Sequence, residues 1–316
     1  MTAALHVPVL LETTIELLRP ALDHEGAIAV DATLGLGGHA EALLERFVGV
    51  TVVGIDRDPA ALDLSAARLA RFGDRVRLVH AVYDRIPGVL EDLGIPAVDG
   101  VLFDLGVSSM QLDEDDRGFS YSRDTALDMR MDPTEDRTAE AILETYPEEE
   151  LARIFWQYGE ERLARRYARA IVTARADTPI RGSAQLVAVL ERATPAALKQ
   201  RGHPAKRVFQ ALRIEVNREL EVLADAVPAA LDALAVGGRI VVLSYHSLED
   251  RIVKRAITAR TVSTAPRGLP IETSETAPTF RMLTRGAPGA ADEEVGRNPR
   301  AASVRLRSAE RVRGNA

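Results

Sequence analysis

The chain of 316 residues has no cysteine. Disulfides, thiolate nucleophiles and cysteine-ligated zinc are therefore excluded, and the absence agrees with a cytoplasmic location. No run of about 18 apolar residues occurs, so no transmembrane helix and no membrane partner are expected. Met1 to Leu11 lack a basic stretch followed by an apolar one, so no signal peptide is expected. The six histidines show no His-x-x-x-His or comparable ligand spacing, and no metal is expected. The acidic run Asp113-Glu114-Asp115-Asp116 lacks an EF-hand glycine turn and reads as a solvated loop. An overall positive charge is also missing, since the net charge is -7. The imbalance is local, however. Residues 251–316 hold 13 Lys or Arg against 6 Asp or Glu, a net of +7. That basic segment suits either phosphate or a solvated surface.

What is present begins with Asp31-Ala32-Thr33-Leu34-Gly35-Leu36-Gly37-Gly38-His39. An apolar run, Ala27 to Val30, precedes it as a buried strand. A helix with apolar Ala40, Leu43, Leu44 and Phe47 follows. A glycine-rich strand-to-helix turn exposes backbone N–H groups and admits close ligand approach. A second strand, Val50 to Ile55, ends at Asp56, a residue suited to two ribose hydroxyls. Gly35, Gly37 and Ala40 also fit the dinucleotide fingerprint. Asp31, four residues before the first glycine, speaks against a pyrophosphate there. Its carboxylate repels phosphates and attracts the ammonium or sulfonium of S-adenosylmethionine. A cap for the turn is the plainer reading of Asp31.

Strand and helix alternate from residue 27 to 109, which predicts a doubly wound parallel sheet. Asp58-Pro59 starts a helix with Leu62, Ala66 and Leu69 on its buried face. Strands follow at Arg75–His80 and at Val98–Phe103, the latter closing on Asp104. Residues 111–133 read as a loop. Helices are expected at 138–157, 160–176 and 183–193, and a long stretch at 205–235 is expected to break near Pro228. Gly237-Gly238 then leads into a strand, Arg239 to Tyr245. Residues 112–204 therefore form a helical insertion between 1–111 and 205–316. Val304 and Leu306 alternate with arginines as a late edge strand.

In a doubly wound sheet the end of the fourth strand faces the cofactor across the switch point, so a methyl acceptor belongs near Asp104. A carboxylate accepting the hydrogens of an exocyclic base amine raises the density on its nitrogen. Cofactor binding alone is the other reading of Asp104. Ser244, Tyr245 and His246 close the fifth strand on the same side, as groups to place a base. Ser247 and Asp250 have capping-box spacing, which makes part of this motif a helix start. Arg162, Arg165, Arg166 and Arg169 share one helix of the insertion.

These segments resemble the RsmH (MraW) family of 16S ribosomal RNA cytosine-N4 methyltransferases. The resemblance runs through HVPVLL at 6–11, DATLGLGGH at 31–39, GIDRDP at 54–59 and DGVLFDLGVSSMQLD at 99–113. It continues through RGFSYSRDTALDMRMDP at 117–133, YGEERLARRYARAIV at 158–172, HPAKRVFQALRIEVNREL at 203–220, GGRIVVLSYHSLEDRIVK at 237–254 and NPRAASVRLR at 298–307. The resemblance implies an α/β class I methyltransferase fold, with a doubly wound, mostly parallel sheet and an inserted all-helical domain for RNA. It implies S-adenosylmethionine at Gly37, Gly38, His39, Asp56, Tyr83, Asp104 and Gln111, and 16S rRNA of the small ribosomal subunit as partner. Met110 stands where the family often has Pro, and Asp104-Leu105-Gly106-Val107 replaces the Asp/Asn-Pro-Pro-aromatic motif of many amino-methyltransferases. Methyl transfer to DNA or a small molecule, and non-catalytic ribosome assembly, are the competing functions. The sequence leaves the oligomeric state open, a homodimer included.

Overall fold

The computed structural model describes residues 8–108, 110–111, 117–122, 124–196, 203–263, 265 and 276–314. The acidic run at 113–116 lies outside them. The chain divides into two compact units, Met1–Gly106 with Leu220–Ala316, and Val107–Glu219.

The first unit is built on one seven-stranded sheet. Its strands are β1 (Ile28–Asp31), β2 (Thr51–Asp56), β3 (Val76–His80), β4 (Val98–Asp104), β5 (Leu234–Ser244), β6 (Phe280–Met282) and β7 (Arg305–Arg311). Their order is β3-β2-β1-β4-β5-β7-β6. The first five run parallel and β7 runs antiparallel to both neighbours. The order reverses between β1 and β4, which is where such sheets place ligands.

Alternation along the strands separates two apolar layers. Val30, Val53, Val101, Phe103, Ile240 and Val242 face one layer, and Ala29, Val52, Leu102, Val241 and Leu243 face the other. The helices α1 (Leu11–Leu22), α2 (Gly38–Arg46) and α3 (Pro59–Leu69) contribute to the second layer. α4 (Ile86–Asp92) contributes to the first. Asp58 caps α3 by accepting the Ala60 N–H at 3.1 Å.

The second unit is helical: α5 (Ala139–Thr145), α6 (Glu148–Gln157), α7 (Ala164–Asp177), α8 (Ser183–Ala193) and α9 (Ala205–Asn217). α9 was expected with the sheet, from a boundary at 204. Its buried Val208, Phe209 and Leu212 instead pack it against α5, α6 and α8. Periodicity shows that a face is buried, not which partner buries it. The segment 129–131 is tied down. Asn217 donates to the Met129 carbonyl at 2.7 Å and accepts the Met131 N–H at 2.8 Å.

Three further expectations need correction. The break in 205–235 falls at Arg218, which is left-handed with φ 51°, and Pro228 stays inside α10 (Glu219–Ala233). Gly237 and Gly238 lie within β5, where the register against β4 jumps from Val98↔Leu234 to Gly100↔Arg239. Gly237 has φ +90° and a Cβ on Gly238 would sit 2.8 Å from the Ala235 carbonyl, so the glycines form a bulge. Finally, β7 is not an edge strand, because the three-residue β6 covers it.

After β5 come α11 (Ser247–Thr261) and α12 (Asp292–Arg297). The cap of α11 is His246 rather than Ser247. His246 Nδ1 accepts the Glu249 N–H at 3.4 Å and Glu249 Oε2 accepts the His246 N–H at 3.2 Å. The box is shifted one residue, because Asp250 turns instead to the arginines of β7.

Candidate active site

Asp31, Asp56 and Asp104 are the last residues of β1, β2 and β4, three strands adjacent in the sheet. Beyond β1 the chain turns through Gly35 (φ +52°) and Gly37 (φ +73°) into α2. A Cβ on Gly37 would press on Leu69 and Ser65 at 3.3 Å, and one on Gly38 would meet Pro8 Cγ at 2.5 Å. Glycine is thus required at 37 for conformation and at 38 for close approach.

Both Asp56 oxygens are anchored. Oδ2 accepts the Gly35 N–H at 2.7 Å and Oδ1 accepts the Asp58 N–H at 2.9 Å. Burial lifts the Asp56 carboxyl above its ordinary range, against these hydrogen bonds. Asp31 is fully buried and its carboxyl is pushed up to about 7. Desolvation is the main cause, and the nearby charges of Asp104 and Asp56 add to it, while His39 and the Thr33 N–H oppose it. The Thr33 N–H reaches Asp31 Oδ1 at 3.3 Å, so the turn-capping reading of Asp31 holds as well.

Asp104 is held by two hydrogen bonds, with a histidine ring nearby. Its N–H donates to Thr33 Oγ1 at 2.6 Å, the Tyr245 hydroxyl donates to its Oδ1 at 2.6 Å, and His39 Nε2 lies 3.6 Å from its Oδ2. Burial first, and then the Asp104 charge, drive the Tyr245 phenol far above its ordinary value. Tyr245 is therefore a fixed donor and not a base. Gly106 lies against the Tyr245 ring, and its φ of +99° is the conformation that calls for glycine there. Glu249 orients the segment, since its Oε2 accepts the Tyr245 N–H at 2.7 Å.

Sequence reasoning missed Glu249 and Thr33. The first was hidden because histidine is an unusual cap. The second was visible only as a neighbour of Asp31. Ser244 and His39 are buried, and among the described residues the Ser244 hydroxyl and both His39 ring nitrogens have no hydrogen-bond partner. His246 sits at the start of α11 with Nε2 3.1 Å from Glu249 Oε1. Tyr83 follows β3 in a short 3-10 turn and meets Phe103 edge-on, 5.6 Å between centroids. Gln111 falls in the helical unit, where its Oε1 accepts the Ser108 N–H at 3.0 Å.

Arg305 and Arg307, in the basic segment read as suiting either phosphate or a solvated surface, instead pair with a carboxylate of the same unit. Arg307 donates to Asp250 at 2.7 and 3.1 Å, and Arg305 donates to it at 3.2 Å. Burial alone would lift the Asp250 carboxyl, but these arginines hold it below its ordinary value.

The site therefore gathers three carboxylates and several unsatisfied polar atoms at the switch point. Such an arrangement accepts a cation together with hydrogen-bonding groups and repels a pyrophosphate. The sulfonium and ammonium of S-adenosylmethionine fit it. Among the described residues no group of three potential ligands is arranged to hold a metal, and no helix is long and apolar enough to cross a membrane.

Known proteins resemble the chain along almost its whole length. The chain is 63% identical over 311 residues to a protein of Leifsonia xyli subsp. xyli named ribosomal RNA small subunit methyltransferase H, covering 98% of this chain and 96% of that one. Proteins of the same name from Thermobifida fusca and Streptomyces avermitilis are 59% and 56% identical. They cover 98% and 100% of this chain, and 94% and 100% of their own lengths. The profile of the MraW methylase family matches residues 3–312. With its switch-point carboxylates and near full-length match, the chain belongs to the MraW methylase family.

Proposed function

We propose that the chain transfers a methyl group from S-adenosylmethionine to the exocyclic N4 amine of a decoding-centre cytosine in 16S rRNA of the small ribosomal subunit. The observation that carries the reading is Asp104, partly exposed at the end of β4 beside the buried Asp31 and gripped by Tyr245. The relatives' name supports the RNA substrate. When bound, S-adenosylmethionine supplies an electrophilic methyl group on a sulfonium.

The residues of this chain do the positioning. Asp31 and Asp104 offer negative charge to the cationic end of the cofactor, and Asp56 offers acceptors for the ribose. The glycine turn presents its backbone, and Tyr83 provides an aromatic face for the adenine. Gln111 adds a side-chain amide. The Asp104 carboxylate accepts a hydrogen of the cytosine amine, aims its lone pair and takes up the proton it sheds. Tyr245, kept protonated, holds that carboxylate in one orientation. Ser244 and His246 flank the base. The helical unit, 107–219, recognises the RNA. The protein works in the cytoplasm, and a homodimer is compatible with this chemistry.

Single-turnover methylation of small-subunit particles with labelled cofactor, together with mass mapping of 16S rRNA from cells lacking the protein, tests the reading. A labelled cytosine that is unmodified in those cells supports it. An intact modification pattern and no label transfer overturn it.

A further inference from the structure

The helical unit carries a groove of about 740 Å³ between α6 and the start of α7. Its floor includes Ala152 and Leu163, and its walls include Trp156, Arg162, Arg165 and Arg166. Trp156 is the only tryptophan of the chain. It stands 65% exposed on a helix that buries Leu151, Ile154 and Phe155. An indole held out of the core keeps its ring face open for stacking and its N–H free to donate.

The turn that brings the arginines to this tryptophan is tightly specified. A Cβ on Gly159 would lie 2.6 Å from the Arg207 carbonyl and 2.7 Å from that of Phe155. Glu160 is left-handed at φ 48°, and its carbonyl accepts Arg207 Nη1 at 2.8 Å. Glu161 is buried and accepts the Leu163 N–H at 2.8 Å. The Tyr-Gly-Glu-Glu-Arg segment thus works as a rigid corner.

Charge selects the occupant. Arg153 is committed to Glu150 at 2.7 Å, and Glu148 to Arg169 at 3.3 Å. Arg162, Arg165 and Arg166 are exposed and, among the described residues, paired with no carboxylate. Two glutamates share the lining with them, Glu149 and the Arg169-paired Glu148. A local surplus of cations on a chain of net charge -7, set around an exposed indole, is the pattern of a single-strand site. There a base stacks on an aromatic ring and its flanking phosphates meet guanidinium groups.

We propose that this groove docks an unpaired segment of RNA, with Trp156 stacking a base and Arg162, Arg165 and Arg166 holding the adjacent phosphates. The proposal rests on the reading of the chain as an RNA methylase and names the substrate surface that reading lacks.

Full-length protein is titrated with unstructured oligouridylate. Quenching of the single tryptophan reports on the wild type, and anisotropy of labelled oligouridylate reports on the variants. Quenching is expected. Trp156→Ala weakens binding about 10-fold, and Trp156→Phe restores most of it, since a base still has a ring to stack on. The triple change Arg162→Gln, Arg165→Gln, Arg166→Gln flattens the salt slope by about 2, because each single-strand phosphate contact contributes about 0.7. On small-subunit particles both the Ala and the triple variant raise KM at unchanged kcat, with unchanged S-adenosylmethionine affinity by calorimetry.

Unaltered oligouridylate affinity, slope and KM in both variants of a methylating enzyme overturn the groove and leave the proposed function standing. Lost particle binding with unaltered oligouridylate affinity assigns the groove to a protein and also overturns it. Trp156-dependent oligouridylate binding by a protein that methylates no particle supports the groove and removes the proposed function.

Discussion

Asp31→Asn should make the protein more stable while weakening its cofactor site. In the folded chain the Asp31 carboxyl titrates near 7, against an ordinary value of 3.8. Its proton is therefore held more tightly in the fold than in the unfolded chain. A carboxyl raised in this way penalises the fold above the unfolded value. The penalty is absent below about pH 3, grows between about pH 4 and 7, and is complete above that range. At roughly 1.4 kcal/mol per pH unit, the separation from 3.8 to about 7 amounts to about 4 kcal/mol at pH 8. Asparagine keeps the shape and an acceptor for the Thr33 N–H, and removes the charge. Urea denaturation should show the variant more stable by about 2–4 kcal/mol at pH 8, with the gain vanishing toward pH 4. Added S-adenosylmethionine, a cation that favours the ionised carboxylate, should then raise the wild-type midpoint more than that of the variant. A variant no more stable than wild type at pH 8, or one whose gain is equal at pH 4 and pH 8, would refute the reasoning.

Tyr245→Phe removes the donor to Asp104 Oδ1 and should lower the single-turnover methylation rate at saturating cofactor by about 10-fold or more, the scale of a lost charge-assisted hydrogen bond. Asp56→Ala strips the acceptor from the Gly35 and Asp58 N–H groups, so S-adenosylmethionine affinity measured by calorimetry should fall by roughly 1–3 kcal/mol. Arg307→Ala leaves Asp250 buried and without its main partner, and guanidinium denaturation should register a loss of about 3–5 kcal/mol. Gly54→Ala would set a Cβ 2.8 Å from Leu34 Cδ1 in the sheet core, and a loss of about 1–3 kcal/mol is expected by the same measurement.

The parallel half of the fold was legible because each of its strands is an apolar run closed by turn chemistry. Asp31, Asp56 and Asp104 stand at those closures, so their places at the ends of β1, β2 and β4 were readable from the sequence. What escaped depends on contacts between distant segments. Tyr245 reaches Asp104 across 141 positions, through the register of β4 on β5. Asp250 meets Arg307 across 57. Basic residues near the end of a sequence look the same whether they face solvent or a buried carboxylate. The α9 boundary was missed for a related reason, since an amphipathic helix shows that it has a partner without naming it.

The position of β7 also bears on how the molecule is made. β5 has β4 on one side and β7 on the other, and β6 pairs with β7 alone. Until residues 305–311 leave the ribosome, Ile240 to Leu243 form the open border of a nearly complete sheet, with unpaired backbone groups along it. Such a border is the region most prone to pair with another nascent chain. Premature termination before β7 would delete that strand, leave β6 without its partner and leave that border uncovered. Arg305 and Arg307 arrive with the same strand and neutralise Asp250, so the addition of β7 both seals the sheet and quenches a stranded charge in the first turn of α11.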